Sequence, residues 1–346
     1  MAYTDIDKPS DYFESKIWTG NGSSQNISLD FAPNWVWIKQ RSATRFHNLQ
    51  DTIRGVGLQL FSNANNADNS DTANITAFNS DGYSLGAGQN VNNSSSTYVG
   101  WSWKAGTSFT NDASGTGIGS IDSSGSTSTT AGFSIVKIDG LPAGTTSTFA
   151  HNLGVKPDFI IFKSRNLTTN WDVYHSSALP DGERKLYLNG TDAVIDSGFM
   201  TDTPPTSSVV SFNPGSNDSN HIAYCFAEKQ GYSKFGSYTG NGNADGTFVY
   251  TGFKPAFVMT KQTDGADWWV INDTKRDAFN VSTLGIRPND SAAESSDSAW
   301  TKDILSNGFK QRSTNSGSNG SGNSYIYMAF AEQPFVTSTG VPATAR

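Results

Sequence analysis

One nine-residue pattern occurs three times in this 346-residue chain and restricts its fold more than any other feature. It reads Phe31-Ala32-Pro33-Asn34-Trp35-Val36-Trp37-Ile38-Lys39, then Val155-Lys156-Pro157-Asp158-Phe159-Ile160-Ile161-Phe162-Lys163, then Phe253-Lys254-Pro255-Ala256-Phe257-Val258-Met259-Thr260-Lys261. Each copy has a proline, one spacer, four largely apolar residues and a lysine. Each also closes on a second apolar run, 71 positions from Pro33 to Lys104, 71 from Pro157 to Glu228 and 77 from Pro255 to Glu332. Self-similarity of this length marks a repeated supersecondary unit.

The residue types inside each copy predict strands. Proline at a strand entrance removes no ladder hydrogen bond, and four consecutive apolar residues suit a strand covered on both faces. Glycine-aromatic steps at Asp81-Gly82-Tyr83, Ser197-Gly198-Phe199 and Asn307-Gly308-Phe309 predict tight turns between strands. Helical periodicity is nearly absent. The fold class expected is all-β, with three tandem antiparallel β-sandwich repeats of jelly-roll type, each enclosing its own core. With 34 glycines and abundant Asn, Ser and Thr the chain has ample turn-forming residues, while nine Trp and 21 Phe supply surface to bury. The expected boundaries are an N-terminal arm (1–16), repeat 1 (17–106), a flexible Gly/Ser/Thr-rich linker (107–131), repeat 2 (132–231), repeat 3 (232–335) and an exposed C-terminal arm (336–346).

Charge and reactive residues narrow the function. A net charge of −7 with no cluster of Lys or Arg argues against a nucleic-acid partner. No run is long enough for a membrane span, and the N-terminus lacks the basic and apolar regions of a signal peptide, so synthesis in a cytoplasm is expected. The single cysteine, Cys225, lies in an apolar run and reads as a buried, inert thiol. The four histidines, His47, His151, His175 and His221, show no metal-ligand spacing and read as structural. Gly115-Thr116-Gly117-Ile118-Gly119 has neither a strand before it nor a helix after it, so it is no phosphate loop. Asp51, Asp81, Asp172, Asp267 and Asp273 are scattered over predicted turns and select no acid pair of the kind a glycosidase needs.

Two segments remain as candidate sites. Asn241, Asn243 and Asp245 place oxygen donors at alternate positions before Gly246, as a calcium loop would, but position twelve is Gly252 rather than a glutamate. A polar hairpin turn is the stronger reading, and no other cofactor is indicated. Trp268 and Trp269 are the candidate ligand-stacking residues, because neighbours on a strand face opposite sides. The alignment of Trp171 with Trp268 places that pair in the core.

Beyond these motifs the chain resembles a family of repeat-containing proteins from marine tailed bacteriophages. The likeness runs from Lys8-Pro9-Ser10-Asp11-Tyr12-Phe13 through Gly132-Phe133-Ser134-Ile135-Val136, Tyr224-Cys225-Phe226-Ala227-Glu228 and Gly231-Tyr232-Ser233-Lys234-Phe235-Gly236 to Met328-Ala329-Phe330-Ala331-Glu332-Gln333-Pro334-Phe335. The resemblance implies a non-enzymatic structural component of the virion, a surface-exposed tail appendage or fibre that binds a host-surface glycan or protein. It further implies other virion proteins as partners and a symmetric homo-oligomer on the particle. A capsid decoration protein and a carbohydrate-active enzyme are the alternatives. No coiled coil or collagen-like shaft is present, which counts against a long fibre and leaves a short appendage or a shell decoration, with Met1–Lys16 and Val336–Arg346 as the candidate docking segments.

Overall fold

A computed structural model describes residues 4–215 and 220–343. The chain is all-β, with antiparallel pairing throughout the described strands. The helices among the described residues are one-turn α-helices at Gln89–Asn92, Ala113–Thr116 and Ser316–Asn319 and 3-10 turns at Pro9–Asp11 and Ser298–Trp300. None of its described helices is long and apolar enough to cross a membrane.

The proline patterns become strands Trp35–Gln40, Phe159–Ser164 and Phe253–Gln262, here called the proline strands. Each pairs with a closing strand (Thr97–Trp103, His221–Phe226, Ser324–Pro334) in the same register, Trp35↔Trp103, Phe159↔Phe226 and Phe257↔Phe330. An opening strand (Phe13–Thr19, Phe133–Ile138, Ser233–Thr239) flanks the closing strand, and a fourth strand (Asn48–Asp51, Asp172–His175, Val270–Asp273) flanks the proline strand. The order opening–closing–proline–fourth thus recurs in three sheets. Pro33 and Pro157 precede their strands as expected, whereas Pro255 lies inside its strand. Register shifts on both sides of Pro255 show a bulge, which accommodates a residue with no N–H to offer.

The cores differ from the three separate ones expected. A smaller outer sheet covers one face of each inner sheet: Gln25–Ser28, Gly82–Leu85 and Ile75–Asn79 in the first copy, Ser147–Ala150 and Val209–Phe212 in the second, Phe248–Tyr250, Gly308–Gln311 and Lys302–Leu305 in the third. These layers enclose three outer cores. The opposite faces of all three inner sheets meet in one shared core. At its centre the equivalent residues Trp103, Phe226 and Phe330 touch one another, with ring centroids 6.4, 5.8 and 5.6 Å apart. Trp35 stacks on Tyr224 of the second copy at 4.4 Å. Strand alternation explains the arrangement: every proline strand carries large side chains on both faces, so one sandwich cannot bury them all.

Polar ties close the ring in a fixed rotation. Glu294 N donates to Arg41 O, Asp68 N to Arg165 O and Val194 N to Thr263 O, each at 2.9 Å, joining third to first, first to second and second to third. At two junctions charges reinforce this tie. Arg165 and Arg54 share Asp68, and Arg54 also holds Asp51; Arg41 and Arg276 share Glu294, and Arg276 also holds Asp273. At the third junction the corresponding positions are Thr263, Val194, Ala178 and His175, so the matching ion pairs have no counterpart. Ala178 and Val194 border the shared core, and His175 Nε2 lies 3.3 Å from Tyr327 O.

Segments read as linker and arms are also built in. Residues expected to form a flexible linker make a hairpin, Thr107–Asn111 with Ser123–Ser128, added to the edge of the second inner sheet. Its stabilisation is backbone pairing, which needs no large side chains; at Gly125 a Cβ would lie 1.9 Å from Ile135 O. Phe13–Lys16, placed in an arm by sequence, belongs to the first opening strand. Ahead of it Thr4 and Ile6 are buried, and Thr4 Oγ1 donates to Gln230 O at 3.0 Å. The two arms meet where Ser338 N donates to the Asp7 carboxylate at 2.6 Å. Residues 1–3 and 344–346 of the expected arms lie outside the described residues.

Candidate functional site

The candidate calcium loop turns its oxygens inward. Asn241 Oδ1 accepts from Asn243 N and Asn319 Nδ2, and Asn243 Oδ1 accepts from Asp245 N. The Asp245 carboxylate faces Lys310 at 2.5 Å and Arg312 at 3.3 Å, and Lys310 lowers its pKa through a hydrogen bond. Asn21, Ser23 and Asn92 repeat the same amide knot in the first copy, so it is a turn device of the repeat. Among the described residues, no three His, Cys, Asp or Glu side chains converge as metal ligands.

The tryptophan pair is split, in the opposite sense to the alignment drawn from sequence. Trp269 is the buried member, and its indole donates to Tyr187 O of the second copy at 2.9 Å. Its counterpart is Trp171, whose indole donates to Phe61 O of the first copy at 2.9 Å; the backbone N–H groups of Trp269 and Trp171 donate to the side-chain oxygens of Asn289 and Asn189. Trp268 is half-buried and carries the Arg287 guanidinium over one face of its ring at 4.4 Å. His47 stands at the matching place in the first copy, with Nε2 3.0 Å from Arg287 O.

Residues of reactive type are largely committed to structure. Burial holds His47 well below its usual pKa and His151 and His175 down to about 4, so all three are neutral at pH 7. Burial also pushes the Cys225 thiol well up. Asp51 and Asp273, expected at turns, are the buried anions of the junctions. The lysine ending each proline strand has a structural use as well. Lys39 Nζ donates to Gln40 O at 2.6 Å and Ala43 O at 3.3 Å, and Lys163 and Lys261 repeat the pattern with Ser164 O, Leu167 O and Gln262 O, Gly265 O.

The second copy departs from the other two at the end of its sandwich. Tyr98 and Tyr325 send their hydroxyls to the one-turn helices beside them, donating to Gln89 O at 2.9 Å and to Ser316 O. The same register position in the second copy is His221. A pocket of about 430 Å³ lies there. Phe162, Phe199 and Phe212 form its apolar side, and Asp172, Lys185 and Tyr187 its polar side. Lys185 Nζ lies 2.9 Å from Asp172 Oδ1, 5.1 Å from the Tyr187 ring centre and 5.6 Å from that of Phe199. Burial raises the Asp172 pKa, with the lysine opposing the rise. Ser197-Gly198-Phe199, read as a strand-joining turn, instead delivers Phe199 to this pocket.

Phe162, Phe199 and Phe212 are buried against one another and form the floor. The part-exposed Tyr187 beside a carboxylate and an ammonium is what suits a polyhydroxylated ligand: a C–H face lies on the ring while hydroxyls exchange hydrogen bonds with the charged groups. Asp172 is the acidic residue among the described lining. The sequence signal for the site is divergence between copies: His221 against Tyr98 and Tyr325, and Asp172 against Asn48 and Val270.

Fold and site together define an all-β protein closed from three like sheets, with a polar pocket where one copy departs from the others. The chain belongs to the family described as Domain of unknown function (DUF7483), matched over residues 8–334. No curated protein and no solved structure matches it. The family match spans all three copies.

Proposed function

We propose that this chain is a non-enzymatic structural protein of a tailed bacteriophage particle, a short surface-exposed tail appendage that binds host-surface glycan through the second-copy pocket. The phage assignment rests on the sequence resemblance. The binding role rests on one structural observation: His47, His175, Asp51 and Asp273 serve as ties between copies, while Asp172, Lys185 and Tyr187 face an open pocket. A rigid ring carrying a recessed polar site is suited to attachment under load.

Antibody against the purified chain should label tails of intact particles. Label on the shell would make it a capsid decoration protein, and particles without label would overturn the virion assignment. Host-surface polysaccharide should bind the purified protein and emerge uncleaved. Asp172→Asn and Tyr187→Ala should each weaken binding at least tenfold, with melting curves showing both variants folded at the assay temperature. Equal binding by both variants would refute the pocket assignment, and cleaved polysaccharide would restore the enzyme alternative.

A further inference from the structure

Each opening strand ends its inner sheet in the repeat, and the three edges are treated differently. In the second copy the edge of Phe133–Ile138 is covered by Ser123–Ser128, in register from Ser124↔Lys137 to Ser128↔Phe133. The same hairpin also reaches the outer sheet. Ser120 N donates to Thr148 O at 2.8 Å, and Ser123 Oγ to Ala150 O at 2.9 Å. It therefore fills the gap between the inner and outer layers.

In the third copy the corresponding edges are Ser233–Thr239 and Phe248–Tyr250, each terminal in its sheet. Between them runs an open groove of about 460 Å³ lined by Gly236, Ser237, Phe248 and Tyr250. Phe248 and Tyr250 are 44% and 50% exposed, large values for aromatic residues on a strand. An edge strand presents a row of unpaired backbone donors and acceptors, which charged side chains normally guard. Here the strand's one charge, Lys234, pairs with Glu228 at 2.9 Å at one end of the groove, and Gly236 to Thr239 carry none. The first-copy edge carries two charges, Glu14 and Lys16, on Phe13–Thr19.

We propose that the third-copy groove binds an extended strand of a partner polypeptide, paired antiparallel to Ser233–Thr239. The internal occupant of the equivalent groove defines its chemistry: small glycine and hydroxyl side chains facing the layers, with an apolar residue placed to cover Phe248 and Tyr250. This is strand addition, in which main-chain bonds supply affinity and alternate side chains supply selectivity. It is independent of where the protein sits on a particle.

The probe is a synthetic peptide with the sequence Ser120–Thr129, added to the full-length protein and followed by amide hydrogen exchange. Exchange across 233–239 should slow at least fivefold on saturation. Ser237→Lys, at an exposed position, should leave the melting temperature unchanged and weaken peptide binding at least tenfold. Unchanged exchange at 233–239, equal binding by Ser237→Lys, or protection confined to the rest of the chain overturns the proposal. Concentration-dependent protection of 233–239 in the protein alone, with dimers in sedimentation, would overturn it in favour of a second copy as occupant.

Discussion

Trp101 of the first copy donates its indole N–H to Asp273 Oδ2 of the third at 3.0 Å, and the same carboxylate receives the Arg276 guanidinium. Tyr224 and Asp51 repeat this contact between the second and first copies at 2.8 Å, with Arg54 in the place of Arg276. One carboxylate thus satisfies a neighbour from another sheet and a cation from its own. Asp273→Ala would leave Arg276 buried opposite only Glu294 and Trp101 without an acceptor. Loss of one partner from a buried pair costs about 3–5 kcal/mol. Urea unfolding should show that drop in stability, while Asp273→Asn, which keeps one acceptor, should lose less.

The shared core makes a second prediction. Phe226 touches Trp103 and Phe330, and it also stacks on Phe133 at 4.5 Å. Truncation at the point where three sheets converge leaves a cavity that no single sheet can relax to fill. Phe226→Ala should destabilise by about 3–5 kcal/mol. Chemical denaturation should give one transition for the wild type, because the copies share this core.

Acid should weaken the protein through its histidines. His151 and His175 titrate near 4 in the folded state and near 6.5 when unfolded, because burial penalises the charged ring. The unfolded chain therefore binds more protons between those values, so stability is complete above pH 6.5 and falls as pH drops towards 4. Each such histidine accounts for about 3 kcal/mol over that window. Unfolding midpoints measured from pH 7 to pH 4 should fall accordingly, and His175→Gln should flatten the slope.

The lysine that ends each proline strand should resist replacement by an apolar residue. Burial pulls Lys39 and Lys261 down to about 8, yet their amines still close a turn by donating to carbonyls one and four residues on. Lys39→Met would leave the carbonyls of Gln40 and Ala43 without this donor. The expected loss is about 1–3 kcal/mol, read from the thermal or urea midpoint.

Much of the strand framework was legible because large apolar residues announce it. Trp35 to Lys39 and its two counterparts marked strands covered on both sides. Closing strands such as Tyr325–Glu332 showed the alternation that places Tyr327 outward and Met328 inward. The hairpin at 107–128 was illegible because backbone pairing holds it, and Ser, Thr and Gly leave no hydrophobic period to read. Trp268 and Trp269 were misassigned because a one-residue shift exchanges the faces of a strand. The pocket around Asp172 and Lys185 was hidden for another reason: its signal is a difference between copies, and similarity was what defined the copies.

The rotation of the junctions, third to first, first to second and second to third, also fixes how many sheets the molecule can hold. A linear stack of repeats exposes two end surfaces and can grow or shrink by one member. Here every sheet already has both neighbours, and Trp103, Phe226 and Phe330 fill the axis. Duplicating or deleting one segment would break the cycle, so this lineage can diversify by changing a copy in place, as the second copy has done, while its copy number stays at three.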